Sequence, residues 1–270
     1  MASTTLLQYA EKYFKEPLKK AHPLTQGSLS EVYHITTQNN QEYVIKNGYS
    51  PQAEAHMLQT LKSHTINVPE VIYSDQHILI LEFIHETNCL SKKVWENLAQ
   101  TLNILHSVHS PFYGWSEDYA FGQLAFTNKH DQNWPEFWSR NRLEPFISKL
   151  PGSLTPSIET LMKTITEFLP EHPLPSLLHG DLWTGNILAH FNTPYLIDPA
   201  CYYGHNEVDL AMLNLFGSPP DAFYTHYAML DKEWHHRCAI YQLFPAMVHY
   251  VLFGNFYLKM IHSLLQSLKL

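Results

Sequence analysis

The chain has 270 residues, with 17 Lys and Arg against 25 Asp and Glu, a net charge of −8. A hydrophobic fraction of 45% provides for a sizeable core and excludes a disordered chain. Acidity without basic runs argues against nucleic-acid binding, and the three scattered cysteines, Cys89, Cys201 and Cys238, offer neither a disulfide framework nor a CxxC metal site.

Odd, distant cysteines fit a reducing compartment. Residues 1–20 lack the apolar core of a signal peptide. The most apolar stretch, Tyr241 to Ile261, is interrupted by His249, Gly254, Asn255 and Lys259 and does not read as a membrane span. The expectation is a soluble cytoplasmic protein with no membrane or nucleic-acid partner, most simply a monomer.

Residues 4–20 read as an amphipathic helix through Leu6, Tyr9, Ala10, Tyr13 and Phe14, closed by Pro17. The loop Gln26 to Glu31 precedes a hairpin of Val32–Ile35 and Tyr43–Lys46. Lys46 ends its strand, and Glu54 lies on the next helix, Gln52 to Leu61. Alone, that pair fits an edge-strand lysine and a solvated glutamate at least as well as an ion pair. Two further strands, Val68–Tyr73 and His77–Ile84, run into the polar stretch His85 to Asn88, where the lobe boundary is placed: 1–84 and 85–270.

Ser91 to His109 is a long helix whose buried face carries Trp95, Leu98, Leu102, Leu105 and His106, the last read as a core histidine. Pro111 to Asn133 is irregular and aromatic, either loops tucked on the core or one wall of a pocket. Trp134 to Leu150 reads as one helix, with Arg140 and Arg142 on a solvated face or in a structural ion pair. After a helix at 156–169, Pro170, Pro173 and Pro175 form a rigid lead-in to a strand.

That strand begins the stretch the chain is organised around, Leu177-Leu178-His179-Gly180-Asp181-Leu182-Trp183-Thr184-Gly185-Asn186-Ile187-Leu188. Ile187–Ala189 and Tyr195–Ile197 read as a hairpin with the five-residue turn His190 to Pro194. Folding it sets Asn186 beside Asp198, and Asp181 joins them on one rim. Two carboxylates and an amide suit a hard, oxygen-loving cation. The same trio matches phosphoryl transfer, in which a first Asp takes the proton of the attacking hydroxyl while an Asn and a second Asp hold metal on the phosphates. An isolated HxD would be no more than a polar turn; the Asp after a hairpin turns the reading toward chemistry.

HGDLWTGNIL, followed by LIDPACYYGHNEVDLAM, resembles the fructosamine kinase (ketosamine 3-kinase) family, from about Gly27 to about Leu258. The Trp after HGDL and the YYGHxExDLAM run carry the resemblance past the wider phosphotransferase group. It implies an α+β, bilobal protein-kinase-like fold: a small β-rich N-lobe and a larger, mainly helical C-lobe. It implies an ATP- and magnesium-dependent kinase acting on the 3-hydroxyl of a free or protein-bound ketosamine, whose phosphate then decomposes and releases the amine, a repair role. Aminoglycoside or choline phosphotransferases of the same fold, and a degenerate nucleotide-binding protein, are the alternatives.

By that resemblance Asp181 is the base, and Asn186 and Asp198 hold magnesium. Lys46, positioned by Glu54, grips phosphate. Gly27 and Ser28 belong to the phosphate-covering loop, which is glycine-poor here. Ser28 stands where some relatives carry a cysteine that links two chains, so no such disulfide is expected. Glu82 and Ile84 offer backbone groups to adenine. Trp183, His205 and Glu207 are expected to face the acceptor, and Asp209 to bond the catalytic-loop backbone.

Overall fold

Alternating apolar residues in short β-branched runs put the N-terminal third into a sheet. The computed structural model of the protein describes residues 5–24, 30–87 and 89–269. Gly27 and Ser28 lie outside the described residues. α1 (Leu6–Phe14) starts at a reciprocal cap, in which Thr5 Oγ1 accepts from the Gln8 N–H at 3.3 Å and Gln8 Oε1 accepts from the Thr5 N–H at 2.8 Å. It ends at Phe14 rather than near residue 20, because Lys15 turns left-handed at φ +57° and Pro17 cannot continue a helix. The remainder becomes an unforeseen edge strand, β1 (Lys20–Pro23), paired with β2 (Val32–Thr36). Proline is tolerated at such an edge.

β3 (Glu42–Lys46) is the next strand, then come α2 (Pro51–Ser63), capped by Ser50 with Pro51 in the first turn, β4 (Val71–Ser74) and β5 (Leu79–Glu82). The sheet is antiparallel throughout, in the order β1-β2-β3-β5-β4. Leu6 and Ala10 of α1 pack with Ile35, Ile45, Ile78 and Ile80, while Leu79 and Leu81, pointing the other way, join Met57, Leu58 and Leu61 of α2 in the main core. α2 also ties the sheet to the C-terminal part of the chain, since Met57 Sδ accepts the Cys201 N–H at 3.2 Å.

The rest is mainly helical. After α3 (Lys92–His106) comes the hairpin β6 (Tyr119–Phe121) and β7 (Leu124–Phe126), inside the stretch expected to be irregular. The expected helix at 134–150 is broken into α4 (Trp134–Trp138), a wide π turn at Ser139–Leu143 and α5 (Glu144–Ile147). Pro145 lacks the N–H that would close the ordinary helical ring there. Arg142, expected on a solvated face or in an ion pair, is fully buried in this turn. Its guanidinium stacks 4.2 Å from the Tyr202 ring centroid and donates to Thr127 O, Asn141 O and Asn128 Oδ1. Arg140 stays at the surface, paired with Glu136 and Asp131.

α6 (Thr155–Thr164) leads to β8 (Ser176–Leu178), then β9 (Ile187–His190) and β10 (Thr193–Leu196). This hairpin turns through Phe191 and Asn192 alone, tighter than the expected five residues, with Phe191 at φ +52°. β11 (Tyr202–Gly204), unforeseen in a stretch read as loop, pairs with β8. α7 (Glu207–Leu213), α8 (Asp221–His226), α9 (Trp234–Phe253) and α10 (Leu258–Ser267) complete the fold. Among the described residues no helix is long and apolar enough to cross a membrane.

Candidate active site

β8 is buried along its whole length and delivers His179-Gly180-Asp181 to the mouth of the cleft. Gly180 takes φ +82°, and a Cβ there would stand 2.0 Å from Ala200 O, so only glycine fits. Asp209 on α7 anchors the loop: its carboxylate accepts the His179 N–H at 2.8 Å and the Gly180 N–H at 2.9 Å. It also meets His106 Nε2 at 3.2 Å, and His106 Nδ1 meets the Tyr227 hydroxyl at 2.8 Å. His106 is thus the buried core histidine that was expected, and Asp209 bonds the backbone as expected.

His179 is fully buried, and both its ring nitrogens are engaged by backbone groups. Its Nε2–H donates to Ile197 O at 3.0 Å and its Nδ1 accepts the Asp181 N–H at 3.3 Å; burial holds its pKa below the ordinary value. Asn186 Nδ2 donates to Asp181 O at 2.9 Å and to Asp181 Oδ2 at 3.1 Å. Burial pushes the Asp181 carboxyl up to about 7, with the nearby Asp198 charge adding and the Asn186 bond opposing.

The third corner comes from the sheet. Lys46 Nζ lies 3.0 Å from Glu54 Oε1 and 2.7 Å from Asp198 Oδ1. Burial alone would lower the Lys46 pKa, but Glu54 and Asp198 outweigh it and hold the ammonium charged. Lys46, Glu54, Asp181, Asn186 and Asp198 therefore meet in one cleft, as the sequence reading expected. Asp198 keeps one oxygen free of described partners, and Asn186 turns its amide nitrogen to Asp181, leaving its oxygen. No group of three or more His, Cys, Asp or Glu among the described residues makes a closed metal cage. Two oxygen donors suit a cation whose other ligands are phosphates and water.

A cavity of about 450 Å³ opens beneath the sheet, lined by Val32, Val44, Leu81, Glu82, Ile84 and Leu188 among others, with Lys46 and Asp198 at one end. A second, of about 230 Å³, lies on the other side of Asp181, against α9. An apolar slot ending in a lysine, next to a carboxylate beside a second pocket, is the arrangement for bringing a phosphate donor and an acceptor together.

The family model for fructosamine kinase matches residues 1–270. The chain belongs to the fructosamine kinase family. It is 29% identical over 268 residues to a protein of Enterococcus faecium named as a probable ketoamine kinase, covering 92% of this chain and 95% of that one. The structure of a candidate fructosamine-3-kinase from Thermobifida fusca superposes with a TM-score of 0.89 at 24% identity, over 99% of both chains. The streptomycin–ATP ternary complex of an aminoglycoside phosphotransferase, APH(2'')-IIa, superposes at 0.66 with 18% identity, covering 98% of this chain and 97% of that one. The fold is protein-kinase-like.

Of the three side chains expected from the sequence to face an acceptor, Trp183 lines the second cavity, 37% exposed. His205 and Glu207 do not. His205 is buried and meets the Tyr241 hydroxyl at 2.7 Å; burial and the nearby Arg237 push its pKa down to about 3, so it is neutral. Glu207 is 1% exposed and gives both carboxylate oxygens to Arg237, at 2.6 and 2.7 Å. Arg237 draws Glu207 inward and Tyr241 holds His205, both from far along the chain on α9, and no local pattern announced either.

Sequence reasoning also missed specific roles on two elements. Tyr119, on β6, lines the space between Lys46, Asp181 and Asp198, and burial with the surrounding carboxylates keeps its hydroxyl protonated. α9 supplies seven of the fifteen residues that line the second cavity. Its one faint signal was apolar residues at helical spacing from Tyr241 to Leu252.

Proposed function

We propose that this protein is an ATP-dependent kinase acting on the 3-hydroxyl of ketosamines, with magnesium as its metal. The observation that carries the reading is Asp181, bonded by Asn186 and set beside the Lys46–Asp198–Glu54 cluster, at the meeting of the two cavities. Family membership and the named ketoamine kinase relative support the acceptor class. The ATP-bound phosphotransferase of the same fold supports a nucleotide in the larger cavity.

Residues 1–84 then cover the nucleotide and 85–270 carry the base and acceptor pocket. Adenine lies in the apolar slot, with the backbone of Glu82 and Ile84 beside it. Lys46 is a point charge for the phosphates. Asn186 and Asp198 would hold the metal, which supplies positive charge to the phosphate oxygens. Asp181 Oδ1, without a described partner, receives the acceptor hydroxyl. As the hydroxyl oxygen bonds the γ-phosphorus, its proton passes to Asp181, the bond to the β-phosphate oxygen breaks, and ADP leaves with that electron pair. A carboxyl pushed up to about 7 is well matched to taking a proton near neutral pH.

A coupled ADP-release screen with ribulosamine and fructosamine adducts, aminoglycosides and choline tests this. ADP release with ketosamines, and a product whose phosphorus couples to the proton at carbon 3 by NMR, is expected. Turnover confined to aminoglycosides or choline would overturn the acceptor assignment.

A further inference from the structure

The cavity between Asp181 and α9 is chemically lopsided. One end holds Asp181, Asn186 and Asp198; the far wall is a single stripe of α9. Phe244, Val248 and Leu252, four residues apart, face Val208 and Met212 of α7 across it. Phe244 and Val248 are 5% and 3% exposed and packed in the core, and what remains of their surface, with Leu252, closes the apolar end of the cavity. The Tyr241 hydroxyl in that wall is already engaged by Trp134 Nε1 at 2.9 Å and His205 Nδ1 at 2.7 Å. His249 Nδ1–H donates to Pro245 O at 2.7 Å, leaving Nε2 as a neutral acceptor. No described Lys, Arg or carboxylate lines this end.

The mouth continues the pattern. Trp183 and Phe216 meet edge to face at 5.8 Å, and Phe216 and His249 lie 5.1 Å apart. Phe253 lies 5.6 Å from His249 and is 45% exposed. Exposed aromatic rings in a contiguous rim mark a binding surface.

We infer that this end of the cavity is a subsite for an apolar substituent on the acceptor's amine, so that the best acceptors are ketosamines of aromatic or branched aliphatic amines. The inference rests on the kinase reading above and narrows it. The hydroxyl-rich sugar finds its polar partners at the carboxylate end, next to the base. The amine's substituent is then directed under the α9 stripe. A phenyl or branched alkyl group buries apolar surface there. A second ammonium, as in a diamine adduct, would lose water with no carboxylate to replace it.

The test is a set of ribulosyl adducts of phenethylamine, isoamylamine, Nα-acetyl-lysine and putrescine, with kcat/KM read by ADP release. The phenethylamine and isoamylamine adducts should exceed the putrescine adduct by at least about tenfold, an effect that burial of two methylene groups would supply. Val248→Asn should erase most of that difference, chiefly through KM; Phe253→Ser, at the exposed rim and safe for folding, should reduce it. Equal kcat/KM across the set, or preference for putrescine, overturns the subsite while leaving the kinase reading intact. Failure of all four adducts, with turnover of an aminoglycoside or choline instead, overturns both.

Discussion

At the scale of single residues, Asp181 and Asp198 are one kind of side chain in two environments. Asp181 is half-buried and bonded by Asn186; Asp198 is exposed and holds Lys46. Asp181→Asn should lower kcat by about 10²–10⁴-fold, the usual loss of a general base, with ATP affinity by calorimetry nearly unchanged. Asp198→Asn should weaken both ATP binding and turnover. Near-normal kcat in Asp181→Asn, or equal loss of ATP affinity in the two variants, would remove the assignment. The raised pKa also sets a pH dependence. Asp181 must be ionised to act, so kcat/KM should rise with pH to a plateau above about 7. Its effect on stability runs the other way. A carboxyl held above its ordinary value stabilises the fold in its protonated form, fully below about 4, and this is lost as pH rises through about 7. Asp181→Asn, neutral at every pH, should therefore raise Tm at pH 8, and less so at pH 5. A larger gain at pH 5 would show the sign to be wrong.

At the scale of elements, the catalytic loop depends on a crossing of two backbones. Gly180→Ala adds a Cβ against Ala200 O and forces a left-handed alanine, which costs about 1–3 kcal/mol for the dihedral alone. It should lower Tm and abolish turnover together; a variant that melts normally would mean the crossing relaxes easily. The π turn after α4 makes a second case. Arg142→Met keeps the bulk but strips partners from Thr127 O, Asn141 O and Asn128 Oδ1, costing at least about 2 kcal/mol, or a Tm fall of about 4–8 °C. What could be read in the chain divides along the same lines. The HGD loop and the existence of the β9–β10 hairpin were legible because each rests on local spacing and a few obligatory residue types, whereas the Lys46–Glu54 pair, ambiguous alone, was legible only through its place upstream of the HGD loop. β1 and β11 were not, since each becomes a strand only through a partner elsewhere, β2 and β8. Arg142 was misread because a guanidinium is buried only where the rings of four other segments, Phe126, Phe137, Tyr202 and Phe244, enclose it. His205 and Glu207 were misplaced for a like reason: Tyr241 lies 36 positions beyond His205 and Arg237 30 beyond Glu207.

At the scale of the whole molecule, the sheet and the helical part meet across the cleft through Lys46, whose ammonium touches one carboxylate on each side. Nucleotide binding should need a divalent cation, so calorimetry in EDTA should show ATP affinity well below that in excess magnesium. Equal affinities would mean that Asn186 and Asp198 do not serve a metal. The Lys46–Asp198 contact carries a further consequence. In the resting protein the lysine already pairs with Asp198 Oδ1, on the same carboxylate whose other oxygen is left for a metal. A bare cation would have to share that one carboxylate with a buried ammonium of like charge, which is costly. A nucleotide arriving with its metal gives that ammonium a phosphate in exchange. The two ligands should therefore enter as a unit. By reciprocity, whatever factor the cation contributes to nucleotide affinity, the nucleotide must return to the cation. Magnesium added alone, at millimolar concentration, should leave Tm unmoved, and magnesium with ATP should raise it.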